Sequence, residues 1–286
     1  MNAQRILFIA ALLILTACQQ AEPPPRETVG EPEIAVREAP PAEATEQVSS
    51  RYDIYATVRL TADLSHLGEQ QRQMIPLLIR ASEIMDDLFW LQAYGEPEPL
   101  LASIEDPAQK RFAVINYGPW DRLAADQPFV ESAGPKPPGA QFYPADMSKE
   151  EFEAWDHEGK AGLYTLVKRN EQGELYLEPY SKAYASQLAE AAGLLRQAAE
   201  LASDPEFANY LMMRADALVN DDFQASDMAW MDMKNNPIEL VIGPIETYED
   251  LLYGYRTAYE SYVLIKDLAW SERLARFAKY LPELQV

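Results

Sequence analysis

The sequence is poor in residues on which several classes of protein depend. Its 286 residues contain one cysteine, Cys18, and two histidines, His66 and His157. A lone cysteine forms no internal disulfide, so the folded part has to be stabilised by its hydrophobic core, even in an oxidising compartment. Basic residues are also scarce, since 24 Lys and Arg face 46 Asp and Glu, for a net charge of −22. This balance argues against a basic groove, and we expect no nucleic-acid partner.

Sequence motifs for nucleophilic and metal-assisted catalysis are missing as well. The sequence has no G-x-S-x-G elbow and no glycine-rich phosphate loop. A helical zinc peptidase needs two histidines one turn apart, and neither His66 nor His157 has such a partner. We therefore expect no metal site or cofactor in this chain and interpret both histidines as surface residues. Acidic pairs such as Asp86–Asp87 and Asp221–Asp222 are predicted to cap helices or to face water rather than to catalyse proton transfer.

The first 17 residues are predicted to be a signal peptide. The apolar segment Ile6–Leu15 spans about 15 Å as a helix, roughly half of a bilayer core, which is too short for a permanent transmembrane helix. It ends in Leu-Thr-Ala-Cys18, which resembles a lipobox, so Cys18 is expected to become the lipid-bearing first residue of the mature chain. An ordinary secretory signal is the alternative. Gln19 rather than Asp follows the cysteine, and resemblance to lipoprotein sorting signals then implies the outer membrane, facing the periplasm.

The segment from Cys18 to residue 50 is predicted to be a disordered tether. Residues 19–50 hold six prolines, seven glutamates and no aromatic residue. Such a composition cannot bury enough apolar surface to offset the entropy of ordering the chain. The globular part is therefore expected at residues 51–286, which is long enough for a substantial core.

Hydrophobic periodicity predicts an α+β fold that is mostly helical, with a small mixed or antiparallel sheet. Alternating residues 52–60 indicate a half-buried strand or an extended arm. Ser65 is a candidate cap for a following helix that Pro76 should kink or delay. Residues 95–145, rich in Pro and Gly, are expected to be irregular. Aromatic residues such as Phe89, Trp90 and Trp230 are expected in the core rather than at a ligand site.

Further elements are predicted in the second half of the chain. The segments 164–168 and 175–177 flank a tight turn at Gly173 and indicate a hairpin. Two amphipathic helices should follow, with Ser181 as the cap of the first and Asp204-Pro205 at the start of the second, packed as an antiparallel pair. Strands are predicted at 238–242, ending at Gly243-Pro244, and at 259–266. Ser226-Asp227 and Ser271 are candidate caps of the last two helices.

The segment between these strands has the most informative sequence. It contains Gly243-Pro244-Ile245-Glu246-Thr247-Tyr248-Glu249-Asp250, and then Glu260-Ser261-Tyr262-Val263. These strings resemble the dipeptidyl peptidase III family of zinc peptidases, in particular its bacterial branch. The pieces NYGPWDRL from Asn116, FYP from Phe142 and Ser226-Asp227 with Trp230 extend the resemblance over roughly residues 52–286.

The resemblance implies one lobe of a two-lobed peptidase that removes dipeptides from peptide N-termini. Glu246 and Glu260 match acids that hold the N-terminal end of the substrate, and Tyr248 matches a tyrosine that donates to the developing oxyanion. The spacing from Tyr248 to Glu260 is one residue longer than in the animal enzymes, so the match at Glu260 is the weaker. All three residues are alternatively structural hydrogen-bonding groups.

The family's zinc motif, His-Glu-x-x-Gly-His or a longer variant, lies C-terminal to this region in its members. It does not occur in this sequence. We therefore expect the N-terminal portion of such a peptidase, inactive alone, with zinc and the catalytic half supplied by a C-terminal part that should be encoded directly downstream. A non-catalytic peptide-binding lipoprotein and a structural envelope lipoprotein are the alternatives.

Overall fold

Helices dominate the computed structural model, which describes residues 51–285. The predictions for residues 1–50, including Cys18 and the tether, lie outside these residues. The described part contains ten helices: α1 (Glu69–Ala93), α2 (Pro97–Ser103), α3 (Pro107–Asn116), α4 (Lys149–Ala154), α5 (Tyr180–Ala183), α6 (Ala185–Leu201), α7 (Pro205–Asn220), α8 (Gln224–Asp232), α9 (Leu268–Ala278) and α10 (Leu281–Leu284).

Three antiparallel hairpins complete the described part of the chain. The strands are β1 (Trp120–Asp121), β2 (Gln127–Pro128), β3 (Thr165–Arg169), β4 (Leu175–Pro179), β5 (Ile238–Glu246) and β6 (Ala258–Ile265), paired in that order. The predicted class, α+β and mostly helical with small antiparallel sheets, is confirmed. None of the helices within residues 51–285 combines the length and apolar character needed to cross a bilayer.

Helix α1 lies at the centre of the fold and packs on α6 and on the β5–β6 hairpin. Its fully buried positions, among them Leu78, Met85 and Leu88, follow helical spacing. The helix begins at Glu69, where Gln71 accepts a hydrogen bond from the backbone N–H of Gly68 at 2.9 Å. The predicted cap at Ser65 is therefore wrong. Pro76 lies inside the helix and does not delay its start.

The α6–α7 pair was predicted accurately at its junction. Asp204 caps α7 by accepting from the backbone N–H groups of Glu206 and Phe207 at 2.9 and 3.3 Å, and Pro205 occupies the first turn. The predicted cap of α6 is wrong, because Ser181 lies in the short helix α5 and donates its own N–H to Asp221. The inner faces of α6 and α7 belong to the main hydrophobic core.

The segment 95–145 contains more structure than its composition predicted. Pro97 and Pro107 lie in the first turns of α2 and α3. Proline is favoured there, because its fixed φ suits a helix and the N–H it lacks would have no intrahelical partner. The expectation that residues 95–145 are irregular is therefore wrong for α2 and α3, because these prolines begin helices. Residues 52–60, predicted as a half-buried strand or an extended arm, contain no strand. Arg51–Asp53 is a short 3₁₀ turn and Leu60 is exposed, which fits the arm.

The two longer hairpins differ in how well the sequence predicted them. β3–β4 has the predicted turn, with Gly173 at φ 83°. β5 does not end at Gly243-Pro244 as predicted but continues to Glu246, because Gly243 takes a φ of 134° and a bulge at 244–246 restores pairing. Two other predicted caps are wrong, since Ser226 and Ser271 lie inside α8 and α9 and bond back to backbone carbonyls.

Candidate functional site

The end of the β5–β6 hairpin brings Glu246 and Glu260 together. Gly243 pairs with Glu260 and Glu246 pairs with Ala258, so the two acidic residues lie on neighbouring strands at the same end of the sheet. Glu246 is exposed and Glu260 is half-buried. The bulge after Gly243 therefore keeps Glu246 within β5, whereas a strand that ended at Gly243-Pro244 would have left Glu246 in a loop.

A cavity of about 420 Å³ lies between this hairpin end, α1 and the turn after α3. We call it the acidic pocket, because three of its lining residues are carboxylic acids and, among the described residues, no basic side chain lines it. Its lining residues are Ser82, Asp86, Phe89, Tyr117, Glu246, Tyr259, Glu260, Ser261 and Tyr262. A pocket of this composition is complementary to a cation that also has an apolar part.

The wall of the acidic pocket opposite the strands comes from α1. The hydroxyl oxygens of Ser82 and Ser261 lie 2.8 Å apart and join the helix to β6. One turn further along α1, Asp86 accepts a hydrogen bond from the hydroxyl of Tyr117. Tyr117 ends α3 in the left-handed conformation, at φ 51°, which turns the chain toward α1. Its ring packs edge-on against Phe89, with 4.7 Å between the ring centres.

The charges in the acidic pocket repel one another. Partial burial and the neighbouring carboxylate of Glu246 raise the pKa of Glu260, while a hydrogen bond of 3.3 Å from the Tyr262 hydroxyl acts in the opposite direction. The charge of Glu260 in turn raises the pKa of Tyr262. Burial and the bond to Asp86 raise the pKa of Tyr117, so this phenol stays protonated as a donor. A bound cation would relieve the repulsion between the acids.

Tyr248 lies outside the acidic pocket. Its side chain is 80% exposed, in the turn that follows β5. The structure therefore brings Glu246 and Glu260 together in one pocket and leaves Tyr248, two residues after Glu246, exposed on the surface. Sequence reasoning missed Asp86, Ser82 and Ser261 as pocket residues, and Asp86 had been interpreted as a surface acid. No local signal marks them, because they meet only through the packing of α1 on β6.

Comparison with known proteins connects this arrangement to a family of peptidases. A solved dipeptidyl peptidase III from Caldithrix abyssi is 38% identical to the chain with a TM-score of 0.76, over 80% of this chain and 46% of that one. The chain is dipeptidyl peptidase III-like. The dipeptidyl peptidase III of Corallococcus sp. strain EGB gives 34% identity and a TM-score of 0.74, over 80% and 45% of the two chains.

The dipeptidyl peptidase III-like chain spans just under half the length of both solved peptidases. A curated relative, Nudix hydrolase 3 of Arabidopsis thaliana, is 28% identical over 275 residues, covering 74% of this chain and 36% of that protein. No protein-family model matches the chain.

The turn that carries Tyr248 in this dipeptidyl peptidase III-like fold is held by two buried carboxylates. Asp250 accepts hydrogen bonds from the backbone N–H groups of four residues of the turn and from the hydroxyl of Tyr143, which is 2.8 Å away. Glu249 lies 2.7 Å from both Arg122 and Lys136, and these cations keep its pKa low despite burial, which acts to raise it. The turn is thus tied to the loop after α3.

A second cavity, of about 340 Å³, lies on the other side of β5 in the dipeptidyl peptidase III-like fold. It is mainly apolar and includes Trp230, which is 38% exposed and so only partly in the core, as well as Pro244 and Ile245. Its polar element is Arg214, which is buried and paired with Asp227. A Cβ on Gly243 would lie 3.3 Å from this guanidinium, a close contact, and the φ of 134° favours glycine independently of space.

The described residues of the dipeptidyl peptidase III-like fold contain no group of three or more His, Cys, Asp or Glu side chains that could hold a metal ion. His66 and His157 are both exposed and lie on separate segments. The ring Nδ1 of His157 lies 2.5 Å from the backbone carbonyl of Glu158. Residues 51–285 therefore do not fit a zinc ion.

Proposed function

We propose that this chain forms the peptide-binding part of a lipid-anchored, zinc-dependent hydrolase of the dipeptidyl peptidase III type. In this proposal Glu246 and Glu260 hold the ammonium group at the N-terminus of a peptide, and Tyr248 donates a hydrogen bond to the oxyanion that develops at the scissile carbonyl. The observation that carries the proposal is the shared pocket of Glu246 and Glu260, together with Asp86, in a chain with this similarity.

The electrostatics of the acidic pocket support an ammonium ligand. Hydrogen bonds between an ammonium group and carboxylates are charge-assisted and stronger than neutral ones. The pKa of Glu260 is raised by partial burial and by the charge of Glu246, and the attraction of a bound ammonium group would offset both effects. Since Glu260 must be ionised to bind a cation well, affinity should increase as the pH rises through its pKa.

The position of Tyr248 supports its proposed role in a different way. The turn that carries Tyr248 is fixed by buried carboxylates, and the exposed phenol is accessible to a substrate. A phenol hydroxyl at such a position can donate to a developing oxyanion. The zinc ligands and the remaining part of the active site belong, in this proposal, to a second polypeptide part, because residues 51–285 offer no metal-binding group.

Calorimetry with a short peptide tests the binding role. The chain should bind a tetrapeptide with a free N-terminus and bind its N-acetylated form much more weakly. Replacing both acids, Glu246→Gln with Glu260→Gln, should raise the Kd about 100-fold or more, since hydrogen bonds to charged groups contribute about 1.5–3 kcal/mol each and every 1.4 kcal/mol is tenfold. The matched control is Glu171→Gln, an exposed acid in the turn of the β3–β4 hairpin, and it should leave the Kd unchanged.

The results of this experiment separate the candidate functions. Equal binding of the free and acetylated peptides would remove the ammonium role. No binding of either peptide would favour the structural lipoprotein. Tight binding with no hydrolysis after addition of the remaining part of a dipeptidyl peptidase III would favour a peptide-binding lipoprotein.

Anchoring through Cys18 is the second component of the proposal. It is supported by the apolar segment Ile6–Leu15 and the Leu-Thr-Ala-Cys string that follows. In a Gram-negative host the wild-type chain should fractionate with outer membranes, and Cys18→Ser should release it. If wild type and variant fractionate alike in the soluble fraction, the chain has no lipid anchor.

A further inference from the structure

The last two helices of the described chain contain no buried residue. α1, α6 and α7 each bury seven or more side chains, whereas α9 and α10 bury none. The segment is amphipathic, and within residues 51–285 none of its apolar side chains is buried. A helix of 11 residues is shorter than the roughly 12–15 residues at which isolated helices become even marginally stable in water.

The apolar residues of this segment form one continuous stripe. Its members recur at steps of four, three, four and three residues, and each is more than half exposed: Trp270 (59%), Leu274 (66%), Phe277 (70%), Leu281 (52%) and Leu284 (77%). The two residues between α9 and α10 keep helical backbone angles, Lys279 at φ −64° and Tyr280 at φ −93°. We call these five residues the C-terminal stripe.

The spacing of the C-terminal stripe is that of a helix–helix contact. Alternating steps of three and four residues give a narrow seam that a second helix can cover. Charged residues of both signs occupy the other faces of the same segment, namely Glu272, Arg273 and Arg276. This mixture suits pairing with another polypeptide better than adsorption to an anionic lipid surface, which would favour basic residues alone.

We propose that the C-terminal stripe docks a helix of the polypeptide part that completes the dipeptidyl peptidase III-like fold. The inference rests on the proposed function. Its occupant follows from the comparisons, because more than half of each solved peptidase has no counterpart in this chain. In both solved peptidases that remainder belongs to the same chain as the region that this fold matches.

A binding experiment tests the stripe directly. The probe is a recombinant polypeptide that contains the part of the Caldithrix abyssi dipeptidyl peptidase III outside the matched region. The full chain should bind this probe in analytical ultracentrifugation and calorimetry. A triple variant of the stripe, Leu274→Ser, Phe277→Ser and Leu281→Ser, should weaken binding at least tenfold. Helix content measured by circular dichroism should rise when the wild-type complex forms.

The control variant replaces three exposed apolar residues elsewhere, Val114→Ser, Met212→Ser and Val219→Ser, and should change the affinity less than twofold. Undiminished binding by the stripe variant overturns the proposal, and so does failure of the wild type to bind the probe. Self-association that the stripe variant abolishes, or binding of the wild type to vesicles of phosphatidylethanolamine and phosphatidylglycerol, would assign the stripe to a second copy or to a membrane instead.

Peptide binding at the acidic pocket is measured separately on the same proteins. The stripe variant should retain the peptide affinity of the wild type, because its three residues do not line the pocket. If the wild type binds the probe but no peptide, the proposed function alone is excluded. A wild type that binds peptide but not the probe removes only the docking proposal.

Discussion

Two pairs of acidic residues on the same hairpin have opposite environments. Glu249 and Asp250 are 4% and 3% exposed and are surrounded by cations or backbone donors. Glu246 and Glu260 line an open pocket and share it with another acid. The first pair is satisfied by the protein itself, whereas the second has no basic partner among its pocket neighbours. The difference indicates which carboxylates stabilise the fold and which are left for a ligand.

Removing Asp250 should have the largest effect on stability. Asp250→Ala leaves four backbone N–H groups and the hydroxyl of Tyr143 without their acceptor. Two of these five donors are buried, the N–H of Arg256 and the hydroxyl of Tyr143. Because a buried unsatisfied donor costs about 1–3 kcal/mol, we expect a loss of about 4 kcal/mol in the free energy of unfolding, measured in urea. Asp146→Ala, an exposed acid, is the control. A loss below about 1 kcal/mol would show that the turn does not depend on this carboxylate.

Neutralising Glu249 should have the next largest effect. Glu249→Gln leaves Lys136, which is 7% exposed, without its closest counter-charge. Breaking one side of a buried ion pair costs about 3 kcal/mol, which corresponds to a fall of about 6–12 °C in the melting temperature for a domain of this size. Glu246→Gln is the matched control and should change the melting temperature by at most a few degrees. Equal shifts in the two variants would contradict the distinction between the pairs.

The pH dependence of stability should also separate the two pairs. The pKa of Glu249 is lowered from its ordinary value of 4.5, so its ionised form stabilises the folded state. This stabilisation is complete above pH 4.5 and is lost as the pH falls through the lowered pKa. Urea unfolding of the wild type should therefore become easier below about pH 4.5, and Glu249→Gln should flatten this part of the profile. A variant profile parallel to that of the wild type would exclude this contribution.

The pair formed by Glu246 and Glu260 should affect the pH dependence of stability in the opposite sense. The pKa of Glu260 is raised from its ordinary value of 4.5, so ionisation of this residue disfavours the folded state. The contribution of Glu260 to the free energy of unfolding therefore falls as the pH rises from 4.5 through the raised pKa. Glu246→Gln removes one cause of the shift and should lower the pKa of Glu260, measured by carbon-detected NMR titration. The free energy of unfolding at pH 7 should change by less than about 1 kcal/mol. A pKa that rises or stays fixed would disprove the coupling.

Tyr248→Phe should have the smallest effect on this chain. Tyr248 is 80% exposed, so the free energy of unfolding should change by no more than about 0.5 kcal/mol. The affinity for peptide should stay the same. In an assembly that hydrolyses peptides, the same change should lower turnover much more than affinity, because a donor to the oxyanion acts in the transition state. An altered KM with unchanged kcat would assign Tyr248 to ground-state binding instead.

Local sequence signals predicted the parts of the fold that depend on local physics. The β3–β4 hairpin follows from Gly173, and the start of α7 follows from Asp204-Pro205. The continuation of β5 through Gly243-Pro244 was missed, because the same dipeptide that usually ends a strand is accommodated here by a bulge and by pairing with Tyr259. Tertiary pairing outweighed a correct local preference.

The sequence predicted the residues of the candidate site that lie close together in the chain. Glu246 and Glu260 were identified through the family resemblance of the segment that contains them, and one hairpin places them in the same pocket. Asp86 and Tyr117 come from separate helices, and their hydrogen bond exists only after those helices pack. The exposure of the C-terminal stripe could not be read from its pattern, since a buried amphipathic helix has the same periodicity.

The contact between Ser82 and Ser261 has a consequence for the timing of folding. It joins residues separated by 179 positions, so the pocket depends on one of the longest loops that the chain closes. At about 5–20 residues per second, roughly 10–40 s pass between synthesis of the two residues. During that interval α1 can pack only on elements made earlier than β6. Formation of the acidic pocket should therefore be among the last events of folding, and substitutions at its two serines should act mainly on the unfolding rate.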